Sequence, residues 1–187
     1  MKSVKRSLAF VLSVVSLTVF YGCAGTAPTA EFKKPISDIH RLCLTDEATV
    51  KLVASDSVVL NDVTRQRLES RLLQTINEKK KTAPCQTTDK RAFVLNSKIT
   101  LYDEGNAFAR FMLAGLGQIH IFGDFVLSLM PAENESIAEF TVQKTFAWGG
   151  AYGGSTKIED VEPAFAEGVA EAIVAQATEK KGSDQTK

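Results

Sequence analysis

From Arg91 to Tyr102 the chain alternates: Phe93, Leu95, Ser97, Ile99 and Leu101 fall on one side, with Val94, Asn96, Lys98 and Thr100 between them. A period of two is that of a strand with one buried face. The pattern returns over residues 119–129 and again from Ser136 to Trp148, where Ala138, Phe140, Val142, Phe146 and Trp148 share a side. Residues 131–135, PAENE, separate these last two runs by a short polar turn, so they predict a hairpin. A shorter strand is expected over Thr49–Ala54. Between it and Arg91 the period changes: Leu68, Leu72 and Ile76 recur every fourth residue. Asn61 is placed to cap the start, Lys79, Lys80 and Lys81 to complement the carbonyl end, and Pro84 to stop continuation. A second helix, from about Asp160, carries Val161, Phe165, Val169, Ile173 and Ala177 on one stripe, with Pro163 in its first turn and Glu167 and Glu171 outside the stripe. The order β-α-β-β-β-α predicts an α/β two-layer sandwich: a mixed four-stranded sheet with two helices on one face. It occupies residues 36–181 as a single domain, with a polar tail at 182–187.

Ahead of this domain the pattern has another meaning. Lys2, Lys5 and Arg6 precede LAFVLSVVSLTVF, a 13-residue apolar run from Leu8 to Phe20. That is the layout of an export signal, and the run is short of the roughly 20 residues a spanning helix needs. Residues 1–22 are read as a signal peptide. The run ends in Val19-Phe20-Tyr21-Gly22-Cys23, which resembles the lipobox of bacterial lipoproteins, with Gly22 and Cys23 matching and Phe20 standing where Leu is usual. The resemblance implies diacylation of Cys23, which becomes the first mature residue. Ala24 after it, rather than Asp, implies transfer to the outer membrane on its periplasmic side. Two or three acyl chains, at about 0.8 kcal/mol per buried methylene, hold a protein to a bilayer. Residues 23–35, small, polar and Pro-containing, are expected to be the lipidated N-terminus and its tether.

Export changes how the other cysteines are read. In an oxidising compartment Cys43 and Cys85 are first a disulfide and otherwise two free thiols. Both precede the starts of neighbouring strands that a crossover helix makes parallel, so they lie at one edge of the sheet. Neither has a His or acidic partner at ligand spacing, and no metal or cofactor is expected. Removing Lys2, Lys5 and Arg6 from the 22 cations leaves 19 against 22 anions. That balance offers no basic footprint for nucleic acid.

Residues 102–120, YDEGNAFARFMLAGLGQIH, break the rule that connections are polar: from Phe108 to Leu116 only Arg110 is charged. Such a segment is either buried against its own domain or held against another body. Gly105 with Asn106, Arg110 with Phe111, then Gly115 and Gly117 ahead of an alternating strand, resemble the bacterial lipoprotein family catalogued as domain of unknown function 4410. The resemblance is best over residues 99–130 and implies an envelope lipoprotein; that family brings no activity and no catalytic residues. The element order is similar to the periplasmic domain of the curli-secretion channel lipoproteins, small units that oligomerise into rings. Phe108, Arg110, Phe111, Leu113, Gly115, Leu116 and Gly117 are the candidate interaction loop. The two later glycines suit either a bend of positive φ or close packing on a partner, and Arg110 either a solvated charge or a clamp on the loop's carbonyls.

Catalytic sets are not legible. His40 and His120 have no evident base role, and His120 falls into a strand pattern between Ile119 and Ile121. Ser155 lies in a Gly-rich run without P-loop spacing, and Asp103 and Glu104 are adjacent, so their side chains diverge. The expectation is a membrane-anchored, non-catalytic binding module for a protein or lipid partner. A structural subunit of an oligomeric envelope or secretion assembly is the alternative, and a hydrolase with an unrecognised site a third class.

Overall fold

Apolar residues spaced by two and by four need a common surface to bury against, and the computed structural model, which describes residues 27–85, 89–113, 115–132 and 135–175, shows how they find it. Five strands form one sheet: β1 (Thr29–Lys34), β2 (Glu47–Ala54), β3 (Ala92–Asp103), β4 (Ile119–Leu129) and β5 (Ser136–Phe146). Their order is β1-β5-β4-β3-β2; β2 and β3 are parallel and every other pair antiparallel. The helices are α1 (Asp62–Lys80), α2 (Ala107–Met112), α3 (Gly150–Ser155) and α4 (Ile158–Ile173).

α1 and α4 lie side by side on one face. Leu68, Leu72 and Ile76 of α1 and Val161, Phe165, Val169 and Ile173 of α4 are buried, as their spacing predicts, against Leu95, Ile99, Ile121, Phe125, Leu127, Phe140 and Val142 of the sheet. Phe125 stacks on Phe140 and packs against Phe165 at the centre. The Asn61 carboxamide accepts the Thr64 amide and caps α1, and the Lys157 amide donates to Asp160 at the start of α4. Among the described residues no helix lies on the other face of the sheet, where Thr141 donates to Asp124, Lys33 lies beside that carboxylate, and His120 is bonded to Thr145.

Several expectations change. The sheet has five strands rather than four, because β1 lies in the segment read as tether. Its sequence TAEFKK has little period, but backbone pairing with β5 holds it at the edge, and Phe32 lies beside Phe140 with ring centroids 5.4 Å apart. The sheet therefore begins seven residues before the expected domain start. Leu101 is not on the inner face: a bulge between Ile99 and Leu101 shifts the alternation, so Tyr102 points inward instead. β5 stops at Phe146, short of Trp148. α4 starts at Ile158, two residues early. The lysine run does more than complement a helix end: Lys79 bonds Glu167 and Glu171 on α4, and buried Lys80 donates to the Asp46 carbonyl. Residues 1–26, with the signal peptide and Cys23, the turn residues 133–134, and the tail with Ala177 lie outside the described residues.

Cys43 and Cys85 are disulfide-bonded, with Cα atoms 5.1 Å apart, at the edge where β2 and β3 begin. Beside them the Arg91 guanidinium pairs with the buried Asp46 carboxylate, which also accepts the Cys43 amide.

Candidate functional site

At the opposite edge of the sheet, where β3 ends and β4 begins, the apolar segment of the sequence becomes α2. Asn106 starts it: its side chain accepts the Ala109 amide and its own amide donates to the Gly117 carbonyl. Gly105 and Gly117 make this closure possible. Both have positive φ, 64° and 66°, and a Cβ on Gly105 would lie 2.0 Å from the Gln118 oxygen, one on Gly117 2.3 Å from the Asn106 oxygen. The third glycine of the set, Gly115, turns at φ 90° with open space around it. Gly105 and Gly117 thus serve a close approach within the loop itself, and Gly115 a bend of positive φ.

Arg110 holds the segment to the rest of the chain. It is 1% exposed, and its guanidinium donates to four carbonyls: Gly153 at 2.8 Å, Glu104 at 2.6 Å, Gly117 at 2.7 Å and Thr156 at 3.0 Å. Of the two roles open to Arg110, the clamp is the one realised. Two of its acceptors belong to the second short helix, α3 and its C-cap, so one cation fastens α2 and α3 together. Gly154 lets them close, since a Cβ there would stand 2.9 Å from the Phe111 Cβ. The two helices pack on each other and make little contact with the other elements, so they form a cap standing off the end of the sheet.

With the backbone fixed from inside, the apolar side chains point out. Phe108, Phe111, Met112, Leu113 and Leu116 are 51% to 73% exposed. Tyr152 is exposed beside them, edge-on to Trp148 at 5.4 Å and 5.9 Å from Phe146. Of the candidate loop, then, Phe108, Phe111, Leu113, Gly115 and Leu116 are on the surface, while Arg110 is buried and Gly117 half-buried.

A second polar cluster was not legible beforehand. Glu162 on α4 is fully buried, yet both its oxygens face Arg67 of α1 at 3.0 to 3.2 Å; Tyr102 donates to it at 2.8 Å, and Arg71 lies 3.5 Å away. The hydrogen bond to Glu162 holds the Arg67 guanidinium above its ordinary value, and burial followed by the bond to Glu162 pushes the Tyr102 phenol up. All partners are engaged with one another, so the cluster ties the two helices to β3. The residues considered for chemistry are likewise engaged: Asp103 accepts the Gly105 amide, Ser155 donates to the Tyr152 carbonyl, and His40 pairs with Ser37. Among the described residues no group of three or more His, Cys, Asp or Glu side chains is arranged to hold a metal ion, and no helix is long and apolar enough to cross a membrane. A groove of about 670 Å³ runs along β1 and α4, lined in part by Phe32, Arg41, Gly168 and Ala172; its Arg41 is committed to Asp38 and the Ala172 carbonyl.

Sheet, helices and clamped cap define a small two-layer α/β domain that carries an apolar projection at one end. Over residues 53–150 the chain matches the family model described as Domain of unknown function (DUF4410), and it belongs to that family. The match takes in α1, β3, α2, β4 and β5, and so Arg110 with two of its four acceptors, Glu104 and Gly117. Among solved structures it is similar to the PelC dodecamer from Paraburkholderia phytofirmans, at 14% identity and a TM-score of 0.51 over 80% of this chain and 99% of that one. A single-site variant of that protein in a second crystal form has the same identity and coverage and a TM-score of 0.49. The first of these likenesses shows a shared fold. No curated protein matches the chain.

Proposed function

We propose that this protein is an envelope lipoprotein, anchored through acylated Cys23 to the outer membrane and facing the periplasm, that acts as a non-catalytic binding module with the α2–α3 cap as its contact surface. One observation carries the reading: large apolar side chains held outward by a backbone that a buried arginine fixes from within. Exposed apolar groups are costly in water unless something covers them, and contiguous ones mark a contact. The anchor rests on the sequence, through the leader and the lipobox-like ending at Cys23.

A second reading, a structural subunit of an oligomeric envelope or secretion assembly, is favoured by the shared fold with a chain that forms a dodecamer. A photo-crosslinking residue at Leu116 separates the two in living cells, with one at exposed Ile39, near the disulfide edge, as the control. The binding module gives intermolecular adducts, to a foreign protein or to lipid, from position 116 and none from 39. A ladder at integer multiples of the protomer selects the assembly. If position 116 gives no intermolecular adduct, the cap is not a contact and both readings fall.

A further inference from the structure

We infer that what covers the cap is the membrane itself: α2 and α3 dip into the bilayer that holds the acyl chains of Cys23, giving the domain a second, non-covalent attachment. The inference rests on the proposed anchor and names the occupant of the proposed contact surface. Three observations carry it.

The first is where the chain leaves the sheet. β1 runs antiparallel to β5, with Thr29 opposite Gln143 and Phe32 opposite Phe140. β1 therefore starts in the half of the sheet nearer Phe146, where β5 gives way to Trp148 and α3. Pro28, just before β1, sits against Gly168 of α4. The second is reach. Cys23 and Thr29 are six residues apart, at most about 20 Å of chain. Gln143 and Phe146 are three apart, about 10 Å of strand. Six residues are therefore enough to carry Cys23 to the cap edge. The disulfide edge lies at the other end of strands up to 12 residues long, roughly 40 Å away at the strand rise. Gln143, opposite Thr29, is seven residues from Ser136 at that edge, about 23 Å of strand, so the same six residues reach the cap end more readily than the disulfide end.

The third is chemical. From Gly105 to Ile119 the only charged residue is Arg110, which is buried, and from Thr145 to Thr156 there is none. An uncharged projection needs no complementary pocket to enter a bilayer, where a protein partner would have to supply one. Phe108, Met112 and Leu116 are suited to hydrocarbon, and Trp148 with Tyr152 to the headgroup boundary, where an aromatic ring meets lipid on one side and water on the other.

Trp148 is the only tryptophan, so it reports on the cap directly. The acylated full-length mature protein is reconstituted into vesicles of phosphatidylethanolamine and phosphatidylglycerol, with plain or brominated acyl chains, and floated on a density gradient. Insertion predicts that bromine lowers Trp148 emission about two-fold, and that the double substitution Phe108→Asp and Leu116→Asp removes the quenching. The variant should still float and keep its far-UV spectrum, because both side chains are exposed. Equal emission on both kinds of vesicle, with flotation intact, overturns the inference and leaves the cap as a surface for a protein. Failure of the unsubstituted protein to float overturns the anchor, and the inference with it.

Discussion

Arg110 is a cation without a carboxylate: what it meets is carbonyl oxygen, from Glu104, Gly117, Gly153 and Thr156. A planar fork with five donors can serve four acceptors at once, and a lysine ammonium cannot match that geometry. Arg110→Ala leaves those acceptors unmade and is expected to cost about 3 kcal/mol of local stability, with Arg110→Lys recovering little of it. Because the cap stands apart, the loss should be local: amide exchange over residues 105–117 accelerates roughly 100-fold while β4 and β5 keep their protection. Unchanged exchange in that segment would remove Arg110 from the role of clamp. At Tyr102 the consequence is a pH dependence. Burial and the Glu162 carboxylate raise its folded value, whereas in the unfolded chain a tyrosine ionises near about 10. Its contribution is therefore complete below about pH 10 and is lost as the pH climbs through the folded value, since only the unfolded state releases the proton readily. Urea midpoints measured from pH 8 to 11 should fall less steeply in Tyr102→Phe than in the unsubstituted protein.

The elements differ in how their stability is supplied. α1 and α4 carry their own period and caps, and they are further joined through Glu162, Arg67 and the ion pairs of Lys79. β1 has neither period nor a long apolar side chain in the core; it depends on pairing with β5 and on Pro28 resting against Gly168. A Cβ at Gly168 would lie 2.5 Å from the Pro28 Cβ, closer than atoms approach. Gly168→Val is thus expected to displace the start of β1 and cost about 1 to 3 kcal/mol by overpacking. Amide exchange should rise over residues 29–34 and stay slow in β3 and β4; protection retained in β1 would show that backbone pairing alone holds it. That strand was missed because edge strands are specified by their neighbours. The cap helices were missed because six residues are too few to show a helical period, although the Gly105, Asn106, Arg110 and Gly117 pattern already marked the loop as special.

Across the whole molecule the two ends of the sheet have opposite tasks. One end is closed by the Cys43–Cys85 bond, which spans 42 residues of sequence, and by the pairing of Arg91 with buried Asp46. The other carries the cap and, by the register of β1, lies nearer the start of that strand. Replacing both Cys43 and Cys85 by Ser is expected to lower unfolding stability by about 3 to 4 kcal/mol in the chain-entropy model. Urea unfolding with and without reductant checks this: reductant should shift the unsubstituted protein and leave the variant unaffected. Sequence alone determined what depends on neighbours along the chain: the period of β3, β4 and β5, the cap and apolar stripe of α1, the stripe of α4, and the placing of two cysteines ahead of parallel strands. These follow from local sterics and from the need of one face to leave water. Tertiary structure alone decided which apolar residues find room in the core. Phe93 and Phe108 are the same residue type, yet one is buried and the other exposed. It decided also which carbonyls Arg110 reaches and which cations surround Glu162, because those partners lie up to 95 residues apart in the chain. Contacts across such distances leave no periodicity, since they are set by how the layers close and not by the order of residues within any one element.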